Sequence, residues 1–157
     1  MAGKGKPKVE MEEGRDGGGE DPSSRRPRSE RLKTALDPVL DMSSKGLRSM
    51  PDEIWERSAL TTLRLANNQI DKLDERIGAL RKLGTLVLDS NKFRGAFPEE
   101  LLALTGLTVL SIMSNEIERL ASKMDVFQLL IELRCSDNAL QLLIELRCSD
   151  NALQVSI

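Results

Sequence analysis

The sequence predicts an α/β solenoid of similar stacked coils, each with one short β-strand and a return half of loops or short helical turns. Two observations predict it. An eleven-residue pattern of leucines and one asparagine recurs in register every 23 or 24 residues. Three consecutive copies are also each followed by a second half with its own spaced apolar residues. A fixed period of this length is typical of repeat proteins, whose coils bury their apolar residues only against neighbouring coils.

The repeated pattern reads L-x-x-L-x-L-x-x-N-x-L, with another apolar residue in place of some leucines, and its positions are numbered 1 to 11 below. Complete copies begin at Leu60, Leu83, Leu107 and Leu130. A degenerate copy begins at residue 37, with Leu40, Met42 and Leu47 in place but with Asp37 and Lys45 at the first leucine and the asparagine positions. We refer to these units as coil 1, which begins at residue 37, through coil 5, which begins at residue 130.

Each part of the pattern has a physical role. Positions 4 and 6 alternate as in a β-strand, so both side chains point inward, and positions 1 and 11 turn inward at the strand ends. The asparagines at position 9 form a column whose side-chain amides can satisfy backbone groups where each strand turns. The return halves place their own apolar residues against the leucines. In coil 2 these are Leu73, Ile77 and Leu80.

These motifs resemble the leucine-rich-repeat family over roughly residues 37–153. The resemblance implies an arc-shaped solenoid with a parallel β-sheet on its concave side. The run LDMSSKGLRSMPDEIW resembles the opening coil of intracellular, Ras-group-related leucine-rich-repeat proteins. The coil LGTLVLDSNKFRGAFPEELLALTGL is similar to the 24-residue plant-type pattern, with Gly95 and Pro98 at its expected places. A plant, algal or protist source fits this subclass.

The first 34 residues differ from the repeats in composition. Residues 1–34 hold nine basic and seven acidic residues but only five apolar ones. Burial of so few apolar residues cannot offset a backbone entropy cost of about 1–2 kcal/mol per residue. We therefore expect a disordered, charged, Gly/Pro-rich tail. Its basic run SSRRPRSERLK makes Ser29 a candidate phosphorylation site for a basophilic kinase. The alternatives are a nuclear-import patch, a contact with acidic lipid or RNA, and a solvated linker.

The C-terminal end departs from the repeat. Residues 128–140 recur unchanged as residues 141–153, a step too short for a second complete coil of about 20–29 residues. We therefore divide the chain into a tail at 1–34, an array of about five coils at 35–140 and an irregular duplicated segment at 141–157. We expect the chain to be a fragment of a longer array or the product of a misassembled coding sequence.

Composition excludes most catalytic chemistry. Histidine is absent, which removes imidazole bases, histidine metal ligands and the Ser-His and Cys-His nucleophile pairs. The cysteines, Cys135 and Cys148, both fall on inward position 6, where buried structural thiols are expected. We predict no enzyme activity, cofactor or metal. A net charge of −2 without aromatic residues in the basic run argues against nucleic acid as a partner.

Location follows from similar arguments. No stretch approaches the roughly 20 apolar residues of a transmembrane helix, and the N-terminus has no apolar segment after its basic residues. We expect a cytoplasmic protein, with the nucleus as an alternative. The oligomeric state stays open.

The concave face of the sheet is the candidate binding surface. Its outward positions mix polar side chains with a small apolar centre, which suits a folded protein partner better than a phosphate or a small molecule. Asp41 and Arg64, at position 5 of adjacent coils, are expected to form a surface ion pair. The candidate contact residues are Thr62, Arg64, Asn67, Thr85, Val87, Asp89, Val109, Ser111 and Met113.

These features predict a non-catalytic adaptor that binds a protein partner on its concave face. The Ras-group resemblance implies a role in intracellular signal transduction, as a scaffold around a small GTPase or a phosphatase. The alternative is the recognition segment of a larger enzyme, such as a receptor-like kinase or a ubiquitin ligase, whose catalytic part is absent. A third hypothesis is a passive solenoid that the basic tail tethers to a membrane or nucleic acid.

Overall fold

The structure is a computed structural model that describes residues 36–121, 123–140 and 154–156. The predicted tail, with Ser29, and the second cysteine, Cys148, lie outside these residues. Within them the main element is a six-stranded parallel sheet with one strand from each of the five coils and one further strand after coil 5, and its strands neighbour one another in chain order. Its strands are β1 (Val39–Asp41), β2 (Thr62–Arg64), β3 (Thr85–Val87), β5 (Val109–Ser111), β7 (Glu132–Arg134) and β8 (Gln154–Ser156).

The strands pair in the register that the repeat predicts, with position 4 of each coil opposite position 4 of the next. Leu63 pairs with Leu86, Leu86 with Leu110, and Leu110 with Leu133. All four side chains are fully buried, as are the position 6 residues from Met42 to Cys135. The predicted solenoid with a parallel sheet on its concave side is therefore confirmed.

Short 3₁₀ turns supply the return halves. They span Asp52–Ile54, Glu75–Ala79, Glu99–Ala103 and Met124–Val126. Each turn buries one apolar side chain against the leucines of the sheet, and this is the predicted Ile77 in coil 2, Leu101 in coil 3 and Met124 in coil 4. The side chain of Asp74 accepts a hydrogen bond from the Arg76 N–H and so satisfies a donor at the start of its turn.

A second, two-stranded sheet was not predicted. It consists of β4 (Arg94–Ala96) and β6 (Glu116–Arg119), which pair in parallel with an irregularity after Gly95. Gly95 has a φ of 73°, a backbone conformation that residues with a Cβ rarely adopt. The pairing links coils 3 and 4 a second time, just after the asparagine of each coil.

The last strand of the main sheet lies within the duplicated segment. Gln154 pairs with Glu132, so β8 follows β7 by 22 residues, a normal coil length. The sheet position next to β7 is thus occupied by Gln154–Ser156. The rest of the segment predicted to be irregular, residues 141–153, lies outside the described part of the chain.

The asparagine column works as predicted. Asn91 Nδ2 donates to the carbonyls of Leu65 in coil 2 and Leu88 in its own coil, at 2.9 and 3.0 Å, and its Oδ1 accepts from the Ile70 N–H at 3.1 Å. Asn68, Asn115 and Asn138 repeat this arrangement one coil apart. Each asparagine therefore fastens its own turn to the backbone of the preceding coil.

Coil 1 is held to coil 2 by an aromatic contact. The guanidinium of Arg76 lies 4.8 Å from the centroid of the Trp55 ring and donates to Asp52 and Asp74. Trp55 itself is half-buried against the core. This agrees with a structural role for the chain's only tryptophan, at the N-terminal end of the solenoid.

The 3₁₀ turns of coils 2 and 3 pack closely at Gly78. A Cβ at this position would lie 2.9 Å from the Cβ of Ala103, closer than two methyl groups can approach. We expect Gly78→Ala to lower the free energy of unfolding by roughly 1–2 kcal/mol, because overpacking outweighs the smaller entropic gain of losing a glycine. Chemical denaturation of Gly78→Ala, Ala103→Gly and the double variant measures this. If removing the Ala103 methyl does not relieve the loss, the contact is not its cause.

Candidate functional site

The concave face is made of the outward side chains at positions 3, 5, 7 and 8 of each coil. Alternation along the strand places positions 3 and 5 on the side of the sheet opposite the leucines. Most of the predicted contact residues are at least partly accessible there. Arg64 and Asn67 are exposed, and the half-buried ones are Thr62, Thr85, Val87, Asp89, Val109 and Met113.

Ser111 differs from the other predicted contact residues. It faces the same side of the sheet, but its exposed fraction is only 2%. Its hydroxyl donates a 2.6 Å hydrogen bond to Oδ1 of Asp89 in the preceding coil. The same oxygen accepts the Met113 N–H at 2.9 Å. Ser111 therefore holds Asp89 in place and offers little surface of its own.

Position 8 has a backbone role that the sequence analysis missed. The residue at this position has a positive φ, between 51° and 59°, in all five coils. This left-handed turn ends each strand and lets its N–H bond to a carbonyl of the next coil, as in Asn67 to Asp89 at 2.9 Å. The sequence does carry a signal, because this position is polar in all five coils and Asn and Asp are among the residues with a Cβ that adopt the left-handed conformation most readily. The residues are Ser44, Asn67, Ser90, Ser114 and Asp137.

Ion pairs occupy both ends of the face. Arg64 lies 3.8 Å from Asp41, so the predicted pair forms. The Ser43 N–H and hydroxyl lower the pKa of Asp41, and the charge of Arg64 contributes further. In coil 5, Arg134 Nε donates a 2.6 Å bond to Glu132, which raises the pKa of the guanidinium. Both pairs are exposed enough to contribute little stability.

Half-buried apolar side chains lie between these ion pairs. Val87 and Val109 come from neighbouring strands, and Met113 follows β5 by two residues. The face therefore has an apolar centre with a polar and charged rim, which is the usual composition of a protein-binding surface.

Grooves elsewhere on the molecule have a different character. One of about 460 Å³ lies between the return halves of coils 1 and 2. Its volume is in the range of ligand pockets, but its walls are mostly charged rather than apolar. They include Arg48, Asp71, Lys72, Asp74, Glu75 and Arg76. Within this groove, Asp74 and Arg76 already bind each other, and Arg76 also binds Asp52.

The remaining candidate groups in the described residues are the Cys135 thiol and the acidic side chains. Burial raises the pKa of the Cys135 thiol, as expected for a structural cysteine. Among residues 36–121, 123–140 and 154–156, no group of three His, Cys, Asp or Glu side chains could hold a metal ion. None of the helices in this part of the chain has the length and apolar character needed to span a bilayer.

Comparison with known proteins places this geometry in context. No family model and no curated protein matches the chain. Among solved structures, a leucine-rich-repeat protein of Leptospira interrogans matches with a TM-score of 0.61 and 26% identity. The match covers 66% of this chain and 26% of that protein. This chain therefore corresponds to about a quarter of the Leptospira protein.

A second solved structure is the leucine-rich-repeat ectodomain of the receptor kinase SOBIR1 from Arabidopsis thaliana. Its TM-score is 0.61 and its identity 25%, over 74% of this chain and 66% of the ectodomain. Both similar structures support the leucine-rich-repeat family for this sequence. Such solenoids generally serve as protein–protein interaction modules. The chain has the leucine-rich-repeat fold.

Proposed function

We propose that this protein is a non-catalytic adaptor that binds a folded protein partner on its concave face. One observation carries the proposal: Val87, Val109 and Met113 form a half-buried apolar centre on a rigid sheet, with charged side chains on both sides. A partner that covers the apolar centre removes it from water, which stabilises the complex, and the charged rim supplies specificity. Because hydrogen bonds between neighbouring strands fix the backbone, little conformational entropy is lost on binding.

The test reverses the charge of Arg64 and places a charge in the apolar centre. We expect the double variant Arg64→Glu, Met113→Asp to lose at least about tenfold in partner capture, with an unchanged unfolding midpoint, since buried charge is costly in an interface. Capture from the source cells is quantified by mass spectrometry. The matched control is Ala79→Asp with Arg81→Glu, two exposed return-half residues. Equal capture by wild type and the concave variant would refute the assignment.

The finer role is inferred from the first coil. Its run LDMSSKGLRSMPDEIW is similar to intracellular, Ras-group-related leucine-rich-repeat proteins. We infer a scaffold in signal transduction, in the cytoplasm or the nucleus, whose partner is a small GTPase or a phosphatase. Co-purification of either class with the wild type, and its loss from the concave variant, would support this role.

The second candidate function is the recognition segment of a larger enzyme. The observation that favours it is the similarity to the ectodomain of a receptor kinase, of which the match covers 66%. A ubiquitin ligase would use the same kind of segment. The intact mass of the endogenous protein distinguishes the two functions: a mass near 17.4 kDa supports the adaptor, and a larger one supports the enzyme segment.

A further inference from the structure

Two hydrogen bonds fix the carboxylate of Asp89 on the concave face. Its Oδ1 accepts two hydrogen bonds, from the Ser111 hydroxyl and the Met113 N–H, and both donors belong to the next coil. Asp89 is half-buried, and Ser111 is almost completely buried beneath it. The side chain is thus held in one orientation before any partner arrives.

Within the described residues, no Lys or Arg forms an ion pair with this carboxylate, and the charge of Arg134 acts on it only from a longer distance. The two arginines of the face are engaged elsewhere, Arg64 with Asp41 at 3.8 Å and Arg134 with Glu132 at 2.6 Å. The ion pairs in the described part of the chain do not include Asp89. A partly buried charge without a contacting partner of opposite charge costs free energy, which an external cation can recover.

We propose that Asp89 anchors a lysine side chain of the protein partner, an inference that rests on the proposed function. Two donors already occupy Oδ1, and among the described residues Oδ2 has no hydrogen-bond partner. One open oxygen suits the point charge of an ammonium group better than a guanidinium, whose strongest carboxylate contacts use both oxygens. Val87, on the same face two residues earlier, and Met113, in the next coil, flank the site and can cover the methylene stem.

Ser111 acts in this site as a positioning residue. The hydrogen bond from its hydroxyl is the shorter of the two that orient Asp89. Without the Ser111 hydroxyl, the Asp89 carboxylate still accepts the Met113 N–H but rotates more freely. Its Oδ2 then points at the ammonium group less often. Ser111→Ala should therefore weaken the preference for lysine without abolishing it.

The test uses defined peptides rather than an unknown partner. Three pools of random dodecapeptides differ only in one fixed central residue, which is lysine, arginine or norleucine. Norleucine has an aliphatic side chain like the lysine stem but no charge. The pools are passed over the immobilised full chain and the retained fraction of each is measured. The protein variants are Asp89→Asn, Ser111→Ala and, as a matched control, Asp137→Asn, which removes an exposed carboxylate from the same face.

On the wild type, we expect the lysine pool to be retained about tenfold more than the norleucine pool and also more than the arginine pool, since a charge-assisted bond in a partly dry site gives this much. Asp89→Asn should bring the lysine-to-norleucine ratio to about one, and Ser111→Ala should lower it partway. Asp137→Asn should leave it unchanged. A ratio near one on the wild type, including no retention of either pool, overturns the anchor. So does a preference for lysine that survives Asp89→Asn.

The double variant Arg64→Glu, Met113→Asp separates this proposal from the proposed function. If it loses all pools while Asp89→Asn keeps the lysine preference, the concave face binds ligands but Asp89 is not the anchor. If it retains every pool as well as the wild type does, the binding surface lies elsewhere and both proposals fail.

Discussion

Replacing Asn91 with alanine is expected to lower the free energy of unfolding by about 2–5 kcal/mol. The Ile70 N–H loses its acceptor, and two buried carbonyls each lose one donor. The carbonyls contribute less to the loss of stability, because the Leu65 carbonyl still accepts a hydrogen bond from Asn68 at 2.8 Å. Most of the cost therefore comes from the stranded Ile70 N–H, at about 1–3 kcal/mol, with the remainder from the lost bonds. Urea denaturation followed by circular dichroism measures the change.

Two further variants make this prediction specific. Asn91→Asp keeps the acceptor for Ile70 but turns a carboxylate oxygen toward two carbonyls, so it should be at least as destabilising as alanine. Asn138→Ala removes the same type of bonds at a half-buried position and should cost less. An Asn91→Ala protein within about 0.5 kcal/mol of the wild type would contradict a structural role for the column.

Replacing Phe127 with alanine is expected to cost about 3–5 kcal/mol, the range for a fully buried aromatic side chain. Phe127 is 2% exposed and packs edge-to-face on Phe97, with ring centroids 6.4 Å apart at 72°. The two rings join the return halves of coils 3 and 4, so the cavity would open between coils. The free energy of unfolding is again measured by denaturation.

A double-mutant cycle separates the ring contact from simple burial. Phe127→Leu and Phe97→Leu each keep most of the apolar volume, so each should cost much less than alanine. Their combination should show a coupling of about 0.5–1.5 kcal/mol from the lost aromatic pair. Strict additivity of the two leucine variants would mean that the rings contribute only through the area they bury.

The sequence predicts the main sheet well, because its signal is repeated in every coil. Positions 4 and 6 identify the buried strand residues, and the asparagines identify the turns, without knowledge of distant contacts. The second sheet is different. It depends on the positive φ of Gly95 and on pairing between residues 94–96 and 116–119, in copies whose sequences do not resemble each other there. Nothing periodic marks it.

The candidate site is predictable only in part. Alternation along the strand identifies the outward side chains, including Val87 and Val109. It does not reveal that Ser111 is covered by Asp89, since that hydrogen bond runs diagonally from position 5 of one coil to position 7 of the preceding coil. Strand β8 was missed for a related reason. The exact duplication marks the segment at 141–157 as irregular, whereas Gln154–Ser156 within it occupies the edge beside β7.

The asparagine column gives the solenoid a one-way dependence between coils. Each amide satisfies backbone groups of the coil on its N-terminal side: Asn138 serves Ile117, and Asn115 serves Phe93. A coil is therefore complete only after its C-terminal neighbour has folded, while the described coil 1, with Lys45 at this position, supplies no such amide. When a coil is lost from the C-terminal side, the coil that remains keeps a backbone N–H that has lost its asparagine acceptor. Loss from the N-terminal side leaves this asparagine-bound N–H intact, and the bonds lost there are those of the sheet backbone, such as the bonds from the Thr61 and Thr62 N–H groups to the Pro38 carbonyl.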